Sequence, residues 1–359
     1  MKLLKYLCIG ISALSILSCS DWTSEEREVF ENQEGMHRLI PLIEAQTEED
    51  LTPTMREYFA QIREYRKTPH VKGFGWFGNW TGKGNNAQNY LKMLPDSVDF
   101  VSLWGTRGYL SDEQKADLKF FQEVKGGKAL LCWIIQDLGD QLTPKGLNAT
   151  QYWVEEKGQG NFIEGVKAYA NAICDSIEKY NLDGFDIDYE PNWSYPGNIS
   201  SHPERMHILL DELSKNFGPK SGTGRILMVD GEPQTLNTES GGLLDYYVIQ
   251  AYYSPGDTDL DTRFNKLLAK FGSIEDEATI LRKTVWCEDF EKHKSDGGPQ
   301  FTTRDGVTTY SLKGMSMYYR PGLDARIGGV GAYRFNLCRP VNDYFFMREV
   351  IQVMNPAQH

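Results

Sequence analysis

Long apolar runs are absent from this 359-residue chain beyond its first residues, so no later segment nears the roughly 20 apolar residues that crossing a bilayer takes. Positive charge is also short. Against 38 Lys and Arg stand 50 Asp and Glu, a formal charge of −12, which argues against a nucleic-acid partner, since that needs a basic face. Cysteine is sparse and scattered: Cys8 and Cys19 lie near the start, and Cys132, Cys174, Cys287 and Cys338 are far apart. None forms a CxxC pair, and Cys132 and Cys287 sit in apolar, strand-like runs where cysteine behaves as a small hydrophobe, so no disulfide framework is expected. The six histidines show no HExxH spacing, which argues against a zinc hydrolase. The glycines of residues 73–78 and 82–84 lack the GxxxxGK[ST] spacing of a phosphate loop and point instead to close packing beside a strand. No metal and no cofactor is expected.

What is present begins with Met-Lys-Leu-Leu-Lys, an apolar run over residues 6–17, and Ser18-Cys19. A charged start, a short apolar run and a small residue before cysteine make a secretory leader rather than a membrane span. Residues 14–19, Leu-Ser-Ile-Leu-Ser-Cys, resemble a bacterial lipobox, which implies a mature chain lipidated at Cys19. The acidic stretch that follows, Asp21-Trp-Thr-Ser-Glu-Glu-Arg-Glu, resembles the tether that carries lipoproteins to the cell surface in Bacteroidota. The expectation is an outer-membrane lipoprotein, exposed at the cell surface and touching the membrane only through its anchor.

Residues 19–66 read as an acidic tether with a leading helix, a short helical stalk. From residue 67 onward the chain alternates. Strand patterns fall at 72–77, 98–104, 129–135, 183–190, 226–230, 246–252, 284–287 and 329–335. Helical patterns lie between them at 87–93, 113–123, 162–179, 204–217, 262–271, 310–319 and 342–354. Eight strands alternating with helices predict a single α/β domain, a (β/α)8 TIM barrel over 67–359. One crossover, 233–244, carries little helical pattern and should be short. Two long loops, 137–161 with Tyr152 and Trp153 and 288–306 with Gly297-Gly-Pro, follow strands three and seven on the face where such barrels place their sites. They are candidate walls or lids.

The densest chemistry lies in Asn181-Leu-Asp-Gly-Phe-Asp-Ile-Asp-Tyr-Glu190. Strand alternation sends Asp186, Asp188 and Glu190 to one face and Phe185, Ile187 and Tyr189 to the other. Three carboxylates in file cannot all ionise freely, so at least one must hold its proton and the set must titrate together. A chance D-G-x-D-x-D-x-E string has a probability on the order of 10⁻³ or less in a chain of this size. Solvent-facing acids or a structural calcium site are the alternatives, but calcium ligands favour a flexible loop over an apolar strand. Such an acid row suits glycosidic cleavage, in which a protonated carboxyl meets the leaving oxygen.

Residues 182–190 resemble the strand-four signature of glycoside hydrolase family eighteen at every specified position. The resemblance runs across the barrel, from about residue 71 to 354, and is most specific at strand four. It implies a retaining mechanism in which the substrate's own 2-acetamido group is the nucleophile and an oxazolinium ion forms. Glu190 would then protonate the glycosidic oxygen, Asp188 would orient and stabilise the acetamido nitrogen, and Asp186 would hydrogen-bond Asp188 and help it change protonation state. Asp183 falls on the opposite face at the strand start and reads as scaffold. Gln250 and Tyr252, at the end of strand six, resemble the Gln-x-Tyr of the endo-β-N-acetylglucosaminidase branch. There the tyrosine hydroxyl bonds the acetamido oxygen, and Gln250 would position the sugar.

Aromatics that close other strands, Trp76, Trp104, Trp286 and Tyr333, are candidate sugar platforms, with barrel packing as the alternative for each. Tyr333 stands where chitinase-like members place a tryptophan at the end of strand eight, which disfavours a linear-chitin cleft. The resemblance therefore implies cleavage of the N,N′-diacetylchitobiose core of N-linked glycans or glycoproteins, with glycan-uptake machinery as a neighbour at the cell surface. A chitinase and a non-catalytic glycan-binding lipoprotein on the same barrel are the other readings. Binding relatives typically lose the acid, whereas Glu190 is present.

Overall fold

A computed structural model describes residues 39–356. The leader, Cys19 and the tether up to residue 38 lie outside the described residues. The strands are β1 (Lys72–Gly78), β2 (Phe100–Trp104), β3 (Lys128–Ile134), β4 (Gly184–Tyr189), β5 (Ile226–Gly231), β6 (Tyr246–Gln250), β7 (Thr284–Asp289), β8 (Gln300–Thr302), β9 (Thr308–Tyr310) and β10 (Gly329–Tyr333). Eight of them close in the order β1-β10-β7-β6-β5-β4-β3-β2, every neighbour parallel, as the expected (β/α)8 barrel requires. Strands β8 and β9 form a separate antiparallel hairpin inside the loop that follows β7.

Alternation along each strand sorts side chains into two cores. Phe74, Trp76, Phe100, Leu130, Cys132, Met228, Val248, Val285 and Cys287 fill the lumen. Phe185, Ile187, Tyr189, Val229, Tyr247 and Trp286 face the surrounding helices. The helix Phe162–Lys179 shows why these segments coil. Asn161 caps it by accepting hydrogen bonds from the Ile163 and Glu164 amides. Val166, Ala170, Ile173 and Ile177 recur at three- and four-residue spacing and are fully buried on its inner face.

The leading helix is Pro53–Lys67, with Thr52 accepting from the Met55 amide at its start. Phe59 fastens it to the barrel's underside by packing with Tyr90, Met93, Phe120 and Val124. Two crossovers depart from long helices. Residues 233–244 form two short 3₁₀ turns, as their weak pattern implied. Residues 87–93, expected to be helical, are also two 3₁₀ turns. The buried Asp117 carboxylate takes the amides of Leu91 and Lys92 together with Trp80 Nε1, and an α-helix would need the Leu91 amide for its own ladder.

Asp183, at the foot of β4, accepts from Gln122 Nε2 at 2.7 Å and from the Ala129 amide at 2.9 Å. It ties β4 to β3 and to the helix that carries Gln122, at the opposite end of the strand from Glu190. Gly184 explains the glycine of the motif: its φ is +149°, and an added Cβ would collide with the Ile226 carbonyl oxygen on β5. Gly184→Ala should therefore lower stability by about 3 kcal/mol, measured by urea denaturation, because the clash is with backbone that cannot step aside.

Candidate functional site

Strand β4 carries Asp186 and Asp188 into the lumen and delivers Glu190 to its mouth. Asp186 is fully buried, Asp188 is 5% exposed and Glu190 is half-buried. On Asp186, Oδ2 accepts from Ser102 Oγ at 2.6 Å and from Trp76 Nε1 at 3.1 Å, donors supplied by β2 and β1. Burial raises its pKa to about 6, and the hydrogen bonds from Ser102 and Trp76, with the Cys132 thiol and Asp230 carboxyl close by, restrain that rise. Burial pushes Asp188 well above the usual carboxylate range, and the charges of Glu190 and Asp186 push it further.

Asp230 on β5 is the member that the sequence reading missed. It pairs in register with Asp188 across the β4–β5 ladder, is 1% exposed, and accepts from Gln250 Nε2 at 2.8 Å. Burial and the charges of Asp188 and Asp186 raise its pKa strongly. Its signal was present in Ile226-Leu-Met-Val-Asp230, an apolar strand ending in an inward acid. Asp186 Oδ1, Asp188 Oδ1 and Asp230 Oδ2 are buried without a protein partner among the described residues, which suits carboxyls that exchange protons with one another.

Cys132, Asp186 and Asp230 place one ligand-type atom each within 4.8 Å of one another, the spacing of a metal site. Their chemistry fits proton sharing better. Ser102 and Trp76 already occupy Asp186 Oδ2, and burial holds the Cys132 thiol well above its ordinary pKa, in the protonated form.

At the mouth, burial and the nearby Glu232 charge raise Glu190, while a hydrogen bond from Gln250 lowers it. The amides of Trp193 and Ser194 fold back onto the Glu190 carbonyl at 3.1 and 3.0 Å, so the acid sits on a fixed turn. Tyr252 stands across the mouth, and burial with the charges around it keeps its phenol protonated. The next residue, Tyr253, has φ of +60°. Its amide donates to Glu288 Oε1 at 3.1 Å and its hydroxyl to Asp289 Oδ2 at 2.6 Å, which pins the turn that presents Tyr252. Glu288, Asp289 and Tyr253 were not singled out from sequence.

The aromatic expectations divide. Tyr333 is half-buried and touches Trp104, Trp76 and Tyr252, with ring centroids 5.6, 6.2 and 6.3 Å away, so these rings form one wall beside the acids. Trp76 is 1% exposed and donates its indole N–H to Asp186, so it supports the acid row from below instead of offering a sugar platform. Trp286 is a correction. Its neighbours Val285 and Cys287 face the lumen, so strand alternation turns Trp286 outward onto Tyr318, at 5.5 Å and 83°, away from any substrate. Trp193 and Tyr195, 83% and 59% exposed on the turn after Glu190, are aromatics beside the acid that the strand-end rule passed over.

The loop after β3 is tied down rather than loose. Asp137 accepts from the Asn198 amide at 2.6 Å, and Asn198 Oδ1 accepts from the Leu138 amide at 2.8 Å, which joins this loop to the one after β4. Within it, Thr150–Lys157 form a π-helix whose Trp153 is buried. The loop after β7 holds the helix Phe290–His293 and the β8–β9 hairpin.

Comparison with known proteins places this arrangement. A family model described as "Glycoside hydrolase family 18, BT1044-like" matches residues 33–357. A solved structure named "BT1044SeMet E190Q" is 59% identical and covers 89% of this chain and 98% of that one, with a TM-score of 0.80. The endo-β-N-acetylglucosaminidase F2 of Elizabethkingia meningoseptica is 26% identical over 199 residues, 52% of each chain, so the match spans about half the length of that relative. An endo-β-N-acetylglucosaminidase from Cordyceps militaris, in apo form, shares the fold at 19% identity, covering 84% of this chain and 96% of its own, with a TM-score of 0.56.

Because Asp186 binds its proton more tightly in the folded chain than in the unfolded one, its favourable contribution to stability is complete below about pH 4. That contribution is lost as pH rises through about 6. Asp186→Asn removes the titration. The stability difference between Asp186→Asn and wild type should therefore shift in favour of the variant by about 2–3 kcal/mol between pH 4 and pH 7, read by urea denaturation at each pH.

Proposed function

Since the chain belongs to glycoside hydrolase family 18, in its BT1044-like group, we propose that it is a retaining endo-β-N-acetylglucosaminidase that cuts the N,N′-diacetylchitobiose core of N-linked glycans. The observation that carries this reading is the pairing of Asp188 and Glu190, at the end of β4, with Gln250 and Tyr252, at the end of β6, joined through Asp230. The likeness to an enzyme named endo-β-N-acetylglucosaminidase F2 supports the same substrate class.

The chemistry follows from the protonation states. Glu190, whose pKa burial and Glu232 raise above its ordinary value, gives a proton to the glycosidic oxygen as the bond to the anomeric carbon breaks. The acetamido carbonyl oxygen of the substrate attacks that carbon and leaves a cyclic oxazolinium ion. Asp188 accepts the acetamido N–H, and the ion's positive charge favours the ionised form of Asp188. The proton that Asp188 sheds stays among Asp186 and Asp230, which are coupled to it. Tyr252, whose phenol stays protonated, donates to the acetamido oxygen and fixes the angle of attack. Glu190, now a carboxylate, takes a proton from water as that water opens the oxazolinium ion. The configuration at carbon is retained.

The resemblance of residues 14–19 to a lipobox supports placement on the outer membrane through lipidated Cys19, exposed at the cell surface and near uptake machinery for the released glycan. Replacing Cys19 with Ala should move the protein from the membrane fraction to the soluble one, with activity per molecule unchanged, followed by fractionation and immunoblotting.

Glu190→Gln should cut glycan release from a glycoprotein by about 10²–10⁴-fold while leaving glycan affinity within a few-fold of wild type, measured by mass spectrometry of products and by calorimetry. Tyr252→Phe should cost about 10²–10³-fold in kcat with little change in KM, as loss of one donor to developing charge does. Chitin oligomers should be turned over far more slowly than N-glycoprotein; efficient chitin cleavage with intact glycoprotein would overturn the substrate class.

A further inference from the structure

We propose that the underside of the barrel, opposite the acid row, carries a binding site for a phosphate-bearing ligand, built on Lys67, Lys72, Lys128 and Arg225. A cleft of about 600 Å3 opens there, at the first residues of β1, β2, β3, β5 and β6. Its cations are Arg63, Arg66, Lys67, Lys72, Lys128 and Arg225, and its acids are Asp99 and Asp245. The chain as a whole has the reverse balance, 38 bases to 50 acids. A concentration of like charge in a concave site repels itself and draws in anions, so it needs a reason in a protein of this composition.

Accounting for partners shows which charges are free. Arg63 and Arg66 are committed to the fold: they donate to the Val124, Lys125 and Asp96 carbonyls at 2.6, 2.9 and 2.8 Å and stand as a fixed positive wall. Asp99 is already shared by His70 Nε2 at 2.6 Å, the Gly73 amide at 2.9 Å, and Arg66 and Lys72, each at 3.8 Å. Asp245 accepts from the Leu227 amide at 2.9 Å. Lys128 Nζ donates to the Gly224 carbonyl at 2.8 Å and has no carboxylate within ion-pair reach among the described residues. Arg225 reaches only Glu178, at 3.5 Å, and Lys67 only Glu64, both partners more than half exposed. Burial, with the charges of Arg66 and Lys128, pushes the Lys72 ammonium below its ordinary pKa, the strain that a bound anion would relieve.

The rim supports the same reading. The loop before β5 has positive φ at Gly218, Gly222 and Gly224, and a Cβ at Gly222 or Gly224 would meet only open space, so backbone borders the cleft with no side chain between. Four cations that keep spare N–H donors match the charge and the several acceptor oxygens of a phosphate better than those of a single carboxylate. The cleft also exceeds the size of a free phosphate ion. It fits a phosphorylated sugar or a phospholipid headgroup, and binding there leaves the mouth of the barrel clear.

The test uses the whole chain and the Lys128→Glu/Arg225→Glu double variant, whose side chains lie at the rim. Unchanged thermal melting and glycan release would confirm its fold. Calorimetric titration at constant ionic strength with pyrophosphate and with glucose 1-phosphate should give saturable binding, weakened at least tenfold in the double variant and kept in Lys128→Arg. Co-sedimentation with phosphatidylglycerol vesicles, against phosphatidylcholine, separates the sources. Variant-sensitive binding to both the phosphates and the anionic vesicles supports a headgroup; binding to the phosphates alone supports a soluble phosphorylated ligand. No saturable phosphate binding, or equal binding by the double variant, would overturn the proposal, and so would vesicle binding without phosphate binding, which marks diffuse surface charge.

Discussion

Everything at this site follows from burying three carboxyls in one barrel lumen. Asp186, Asp188 and Asp230 lie within reach of one another with almost no exposure to water, and a dry site cannot hold three negative charges. Protons must therefore be stored there. The barrel makes the storage stable by aiming donors at it, Ser102 and Trp76 at Asp186 and Gln250 at Asp230. These donors come from β2, β1 and β6, so the closed sheet is what keeps the acids in register.

The same constraint sets the division of labour at the mouth. Glu190 is the acid of the row nearest to solvent, so in the proposed mechanism it is the one that exchanges a proton with substrate and water in each cycle. The deeper acids exchange protons only with one another. In the proposed mechanism their reserve lets Asp188 become charged when a cation forms beside it and neutral again afterwards. A pair of isolated carboxylates at the surface would lack that reserve, because water would hold both ionised.

Much of this was legible in the chain. Periodicity gave all eight barrel strands, and the helix 162–179 matched to the residue because an Asn cap and an unbroken apolar stripe bound it. Alternation on β4 placed Asp186 and Asp188 inward, since Phe185, Ile187 and Tyr189 could only face the helices. The misses have physical causes. Trp286 was assigned by its nearness to a strand end, whereas alternation against Val285 and Cys287 would have turned it outward. Asp230 stood alone in its strand, and only the β4–β5 register brings it to Asp188. The turns at 87–93 were lost because Asp117, about 25 residues away, claims their amides. For Asp230 and for residues 87–93 the decisive partner is distant in sequence.

The account stands most directly on where those protons are. Carbon-13 NMR of aspartate side-chain carboxyls, assigned with Asp186→Asn, Asp188→Asn and Asp230→Asn, would follow the three groups from pH 4 to pH 8. The account predicts coupled, multi-step titration, with a midpoint for Asp186 near 6 and at least one of the three still protonated at pH 7. Three independent titrations complete by pH 5 would contradict it.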